Sequence, residues 1–547
     1  MVSETWTWFN ESFHRRYGPT LPYTSPKARC QHCHKFSSVT EMAQPPNAMG
    51  ILQDLGDVGV LNGYHKYVLA LEPLLEAMSK RGMPVHPASH AAVTADLTER
   101  AHQAELAMQA LIPDEVRTCA PKLGYKRAPK DTTGLVKRWF DVSGSDAIPG
   151  TMAEERWCRL NAWKPSHDGL IRYMLYRKHP IPTDYKSGKQ LTTEVELKRL
   201  AKQTRDFLYD AVLEYRQIST VLNNHLPNWV PGADGRVHPT FYYDTGTGQL
   251  ASRRPNAQNA PKHGEGGKKD LADQFRSLVQ ARPQHTLVEF DYRSFHAQTL
   301  AFEAQDKDYL RLAKLDIHSY LTAHLVKDGG ADRALGLPDA ELAGYLARIK
   351  RDHRFVRDFK AKRAILGYGF GMGYRKLFNM YREAFDSQAD AKRTIDMLNG
   401  LFPRANQWRD EIRRQAHEQG YLLSRAGCIR WIWEVFRWKD GKWDQGGDDS
   451  EAAVAFLPAN DAFCHIKDAM LRLDATGALQ RFGLINQIHD ALMFECPDNL
   501  LDECVVSVKE EMERLSDILI NSVAPAGLSV EVGVSCGKSW EKMAEVK

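Results

Sequence analysis

The sequence predicts a mixed α/β (α+β) protein in which a sheet-based core carries separate helical lobes. Short β-rich runs bounded by turn residues appear in RVHPTFYYD, HTLVEFDY, LINQIHDALMFEC and LSVEVGVSCGKSW, and long blocks of helical period lie among them. With 547 residues, 43% of them hydrophobic, the chain is long enough for about three or four packed units with real cores.

The elements follow in order. The first 65 residues or so are rich in Pro, aromatics and turn formers, and hold Cys30, Cys33 and His34 in KARCQHCHKF. From Tyr67 to about Leu111, Leu69, Leu71, Leu74, Leu75 and Met78 recur at helical spacing and a second stretch begins near Ala91, which predicts a helical hairpin. Residues 112–190 carry Pro and Gly breaks, and Thr192 to Asn224 is a long helical pattern with Leu197, Leu200, Ala201, Phe207 and Leu208 able to share a face. The stretch from about Pro338 to Phe370 is helical again, as is 452–473. LINQIHDALMFEC reads as two β-arms around His489-Asp490, a hairpin signature.

Composition excludes more than it assigns. Lys+Arg number 73 against 69 Asp+Glu, so a net charge of +4 names no partner. No apolar run approaches the roughly 18 residues that span a bilayer, and MVSETWTWFNESFHRRYG has no basic leader followed by an apolar segment, so neither a membrane span nor a secretory signal is expected. Nine thinly spread cysteines point to reduced thiols in a cytoplasm.

Asp291 closes a short apolar strand and Asp490 sits at the apex of a second apolar segment. Taken singly, each reads as a turn residue capping its strand. Taken together, two strand-end carboxylates are what holds two divalent cations roughly 3.5 to 4 Å apart for in-line attack at phosphorus, and hard oxygen ligands favour magnesium. In RIKRDHRFVRDFKAKRAILGYGFGMGYRKLF, Lys362, Leu366 and Phe370 follow i, i+4, i+8 spacing and span about 12 Å of one helix face. That length suits a nucleoside triphosphate, with an ammonium at the phosphates and a ring under the base; a solvated basic face is the plainer reading. Gly367, Gly369, Gly371 and Gly373 loosen the end of this helix and point to a hinge or a close approach. Cys30, Cys33 and His34 match half of a zinc site, against a plainer reading as loop cysteines.

These segments, in this order, resemble motifs A, B and C of family A DNA polymerases, the bacterial DNA polymerase I family with its phage relatives, over roughly residues 65–547. TGQLASRRPNAQNAP, DYRSFHAQTLAF, DIHSYLTA, KRAILGYGFG, QIHDALMFE and EVGVSCGKSW are each similar to a family segment, as is LEYRQISTVLNNHLP. The resemblance implies a right-hand architecture with helical thumb, antiparallel-sheet palm and helical fingers. It divides the chain into an amino-terminal segment (1–65, a remnant of an exonuclease-like domain or a zinc half-site), thumb (66–235, with an insertion near 112–155), palm (236–310), fingers (311–420) and palm again (421–547). Asp291 and Asp490 would be the catalytic, metal-binding carboxylates, with the Tyr292 carbonyl as a further ligand for two Mg2+ ions, Mn2+ being a substitute. Lys362 and His318 would hold the triphosphate and Phe370 would stand near the templating base. Gln249, Gln258, Asn259, Gln487 and His489 would face primer-template DNA.

The departures are specific. Ala491 stands where the family has a glutamate, with Glu289 on the same strand face as Asp291 a partial substitute. His296 replaces the glutamate that excludes a ribose 2′-hydroxyl, and Leu366 an aromatic at the sugar. Asp358 replaces a phosphate-binding arginine, with Arg357 its stand-in. Gln249 replaces a minor-groove arginine, with Arg253 or Arg254 supplying charge nearby. The resemblance thus implies a DNA-templated DNA polymerase using deoxynucleoside triphosphates in phage- or plasmid-type replication or repair, served by a separate exonuclease or processivity protein. The alternatives are a single-subunit RNA polymerase-like enzyme, whose motif C reads H-D-S where this chain has H-D-A, and a non-catalytic primer-template binding protein.

Overall fold

The apolar run HTLVEFDY forms a strand because its β-branched and aromatic residues bury in sequence until Asp291, its first exposed residue. This strand, β1 (His285–Tyr292), is the centre of a five-stranded antiparallel sheet. The others are β2 (Leu484–Ile488), β3 (Ala491–Pro497), β4 (Val532–Gly537) and β5 (Ala544–Glu545), in the order β2-β3-β1-β4-β5. The computed structural model describes residues 63, 65–119, 135–141, 153–184, 188–243, 245–261, 267–439, 442–444, 447 and 449–546. Cys30, Cys33 and His34, and with them the zinc reading, lie outside the described residues.

The chain divides into two units, one of Met1–His86, Pro231–Ala260 and Arg276–Lys547, the other of Pro87–Val230 and Pro261–Phe275. In the first, Phe290 of β1 and Phe494 of β3 meet edge to face with ring centroids 5.6 Å apart, fixing the two strands against the core. Helices α1 (Phe295–Glu303), α2 (Ile317–Leu325), α3 (Asp339–Asp352), α4 (Lys362–Gly369), α5 (Ser450–Ala475) and α6 (Leu501–Glu513) belong to the same unit. α5 is buried along most of its length and packs on α1 and α6. Arg236 and Glu495 form a buried ion pair at 2.7 Å, and the Arg282 backbone amide and Nε also donate to Glu495. With its lone pairs so occupied, loss of one partner would cost about 3–5 kcal/mol.

The expected helix from Pro338 to Phe370 is interrupted. His353 has φ −127° and ψ 35°, outside the helical range, and a single wide turn at Arg357–Ala361 precedes α4. The glycines after it divide their work. A Cβ on Gly367 would come within 2.6 Å of Leu377, and Gly371 adopts φ +70°, so one permits close packing and the other a turn that L side chains rarely make.

The second unit holds the helices Pro87–Ala110, His167–Arg177, Glu194–Thr204 and Phe207–Thr220, which share a core including Met108, Leu170, Met174, Leu197, Leu200, Leu208 and Val212. The helical pattern from Thr192 is two helices: Arg205 turns left-handed at φ 55°, and the Asp206 carboxylate restarts the helix by accepting from the Leu208 amide at 3.0 Å. Within the stretch read as an insertion, Leu135–Asp141 pairs antiparallel with Ala153–Arg159. Cys119 and Cys158 are joined as a disulfide, which corrects the reduced-thiol expectation for that pair; Cys428, Cys464, Cys496, Cys504 and Cys536 are free. Among the described residues no helix is long and apolar enough to cross a membrane.

Candidate active site

Two aspartates encoded far apart come to one end of the sheet. Asp291 is the register partner of Ala491 across β1 and β3, and the Tyr292 amide reaches the Asp490 carbonyl at 3.4 Å. Asp490 occupies the two-residue turn between β2 and β3, whose first member, His489, has φ 54°, the backbone state such tight hairpins require. The ladder therefore sets the spacing of the two aspartates along the sheet.

Beside Asp490 opens a pocket of about 170 Å³. His296, His318, Leu366, Phe370 and Asp490, five residues singled out in the sequence, share its wall. His296 and Phe370 stand with ring centroids 5.9 Å apart. Burial pushes the His296 imidazole below its ordinary value, with the Asp490 charge pulling it the other way. Pattern reading missed Tyr309, Pro458 and Ala459, which also line the wall, because apolar lining carries no chemical signature.

Lys362 is not part of that wall. Its ammonium pairs with Asp358 at 2.8 Å, one helical turn back. Arg357 is also engaged: it donates to both oxygens of Asp316 and to Asp358 at 2.7 Å, and is only 11% exposed. The structure thus turns Arg357 toward two carboxylates. Asp316 caps α2, accepting from the Ser319 amide and hydroxyl, and has His318 at 3.7 Å. Burial alone would raise the Asp316 carboxyl, but hydrogen bonds from His318 and Ser319 and the Arg357 charge outweigh it and hold it well below the usual carboxylate range.

The residues expected to face nucleic acid divide into two groups. Gln258 and Gln487 are buried: the Gln258 amide donates to the Gln487 backbone carbonyl at 2.8 Å, and the Gln487 amide to the His489 carbonyl at 2.5 Å. These contacts brace the turn that carries Asp490. Asn259, Arg253 and Arg254 are exposed, Arg253 lying 5.5 Å over the Tyr242 ring, and Gln249 is half-buried with its carbonyl accepting from Thr245. The Trp540 indole donates to the Glu289 carboxylate at 3.0 Å.

Among the described residues no group of three or more His, Cys, Asp or Glu could hold a metal ion. Asp291 and Asp490 supply hard oxygen donors, the kind that hold divalent cations while substrate phosphates and water complete the shell.

The fold is similar to that of the POL domain of Pol1 from M. smegmatis, solved in complex with DNA primer-template and dNTP, with TM-score 0.63 and 19% identity over 90% of this chain and 73% of that one. The chain thus has the right-hand polymerase fold, with helical thumb and fingers about an antiparallel-sheet palm. The model of DNA polymerase family A matches residues 166–333 and 343–542, and the chain belongs to that family. DNA polymerase I of Lactococcus lactis subsp. lactis (strain IL1403) is 26% identical over 414 residues, 74% of this chain and 41% of that protein. DNA polymerase I of Treponema pallidum (strain Nichols) is 27% identical over 386 residues, 68% and 34% respectively. The chain spans about two fifths or less of the length of these relatives.

Proposed function

We propose that this chain is a DNA-templated DNA polymerase that adds deoxynucleotides to a primer 3′ end, in replication or repair of phage- or plasmid-type DNA. The observation that carries the reading is the register of Asp291 with Ala491, which brings Asp291 and Asp490 to one sheet end beside a pocket lined by His296, His318, Leu366 and Phe370. The five-stranded sheet acts as palm, α2 to α4 as part of the fingers and the second unit as the body of the thumb.

Asp291, Asp490 and the Tyr292 carbonyl are the groups that would hold two magnesium ions, which supply Lewis-acid stabilisation of charge on the attacking and leaving oxygens. The protein's own part is positioning and electrostatics, which account for most of the catalysis in phosphoryl transfer. Phe370 gives the base a flat apolar surface, His296 fills the space beside it, and His318 and Lys362 offer donors for phosphate oxygens.

Extension of a labelled primer in magnesium, with deoxynucleotides and ribonucleotides in parallel, tests the assignment. Template-directed deoxynucleotide addition is expected. Preferred ribonucleotide addition would favour the RNA polymerase alternative, and salt-sensitive primer-template binding with no addition would indicate a binding protein.

A further inference from the structure

Asp358 is the sole acidic residue between His353 and Phe370, and three cations converge on it. Lys362 approaches at 2.8 Å, Arg357 at 2.7 Å and Arg354 at 3.5 Å. The other cations of the run face away: Lys360 pairs with Asp390 at 2.7 Å and Arg363 with Glu383 at 3.7 Å. One carboxylate thus occupies the anion position that the local lysine and arginines create.

We propose that Asp358 is an internal competitor for the nucleotide's phosphates, holding Lys362 until a polyphosphate displaces it and thereby setting the affinity for nucleotide and pyrophosphate. The inference rests on the assignment of Lys362 to the triphosphate. Lys362 is 47% exposed and Asp358 28%, so an anion from solvent can reach the pair. Arg357 stays in place whichever anion is present, because both oxygens of Asp316 also hold it. Lys362 is therefore the group that exchanges partners, leaving Asp358 for phosphate oxygens and returning to it as pyrophosphate departs. Asp358 acts through Lys362 and is a positioning residue. Its negative charge explains how a helix this basic releases product: the carboxylate replaces the leaving anion without waiting for solvent ions.

The test uses the full chain and inorganic tripolyphosphate as probe, with binding measured by calorimetry at low salt in the absence of primer. Asp358→Asn should bind about twofold more tightly than the unaltered chain, the size set by one partly exposed i, i+4 ion pair. Asp358→Glu should restore the original affinity, and the gain should shrink as sodium chloride is raised. In a Lys362→Ala background, Asp358→Asn should lose most of its effect. In primer extension, Asp358→Asn should lower KM for the incoming nucleotide by a similar factor and strengthen inhibition by pyrophosphate. Unchanged or weaker tripolyphosphate binding by an Asp358→Asn protein with an ordinary melting curve overturns the proposal; Asp358→Ser decides the same point should the Asn variant fail to fold. A chain that extends no primer yet gains tripolyphosphate affinity on Asp358→Asn would sink the polymerase assignment and keep the competitor. Extension with identical KM and tripolyphosphate affinity in both proteins would do the reverse.

Discussion

Asp291 and Ala491 face one another across adjacent antiparallel strands, and the residue before Ala491 is Asp490. The second carboxylate is therefore held by a tight turn whose backbone is tied to β1 through the Tyr292 amide. Asp291 is already exposed, so removing it does not open the core. Asp291→Ala and Asp490→Ala are each expected to lower the rate of nucleotide addition by at least about 1,000-fold, roughly 4 kcal/mol of transition-state stabilisation. Primer-template affinity, read by fluorescence anisotropy, should change little. Vigorous synthesis by either variant would remove the basis of the assignment.

Lys362 differs from the aspartates in having an exposed partner instead of a fixed scaffold. Its pair with Asp358 is an i, i+4 contact half open to solvent, worth only about 0.3–0.5 kcal/mol to folding. Lys362→Ala should accordingly leave the melting curve nearly unmoved. Nucleotide KM should rise by about tenfold or more through loss of a charge-assisted contact to phosphate. A large drop in stability with unaltered KM would make Lys362 a structural residue.

His296 bears on the choice of sugar. Its ring fills the pocket beside Phe370, 5.9 Å centroid to centroid. His296→Ala leaves room there for an additional hydroxyl, so discrimination against ribonucleotides should fall by about tenfold. Competing the two nucleotide types in single-turnover extension measures it. Discrimination that stays constant would place the selecting contact elsewhere on the pocket wall.

Much of this architecture was legible because hydrophobic period and turn chemistry agree. HTLVEFDY and LINQIHDALMFEC form β1, β2 and β3 as their apolar, β-rich runs and the His489-Asp490 turn require. The breaks at His353 and Arg205 were not legible, since neither site carries Pro or Gly to mark it. The burial of Gln258 and Gln487 was hidden for another reason. An amide that braces a backbone turn and one that reads a minor groove have the same composition, and only the tertiary contact at 2.8 Å separates them. The ion pair between Asp358 and Lys362 was available from i, i+4 spacing alone.

A buried imidazole under the site gives the protein an acid limit. His465, on α5, lies against Tyr292 and Phe295, with ring centroids 5.6 and 5.7 Å away. Burial, reinforced by the Arg472 charge and opposed by a Met512 backbone contact and Asp517, pushes its pKa down to about 4 from an ordinary value near 6.5. Between those values the unfolded chain binds a proton that the folded chain does not, so stability rises with pH across the window and is lost as pH falls from 6.5 toward 4. At pH 5 the loss from this one group is about 2 kcal/mol relative to pH 7. His465→Phe keeps an aromatic ring between Tyr292 and Phe295 and removes the proton site. Denaturant unfolding at pH 7 and pH 5 should therefore show a smaller acid-induced loss in the variant than in the unaltered protein, by about that amount. Equal losses in the two proteins would mean that His465 is already protonated in the folded state.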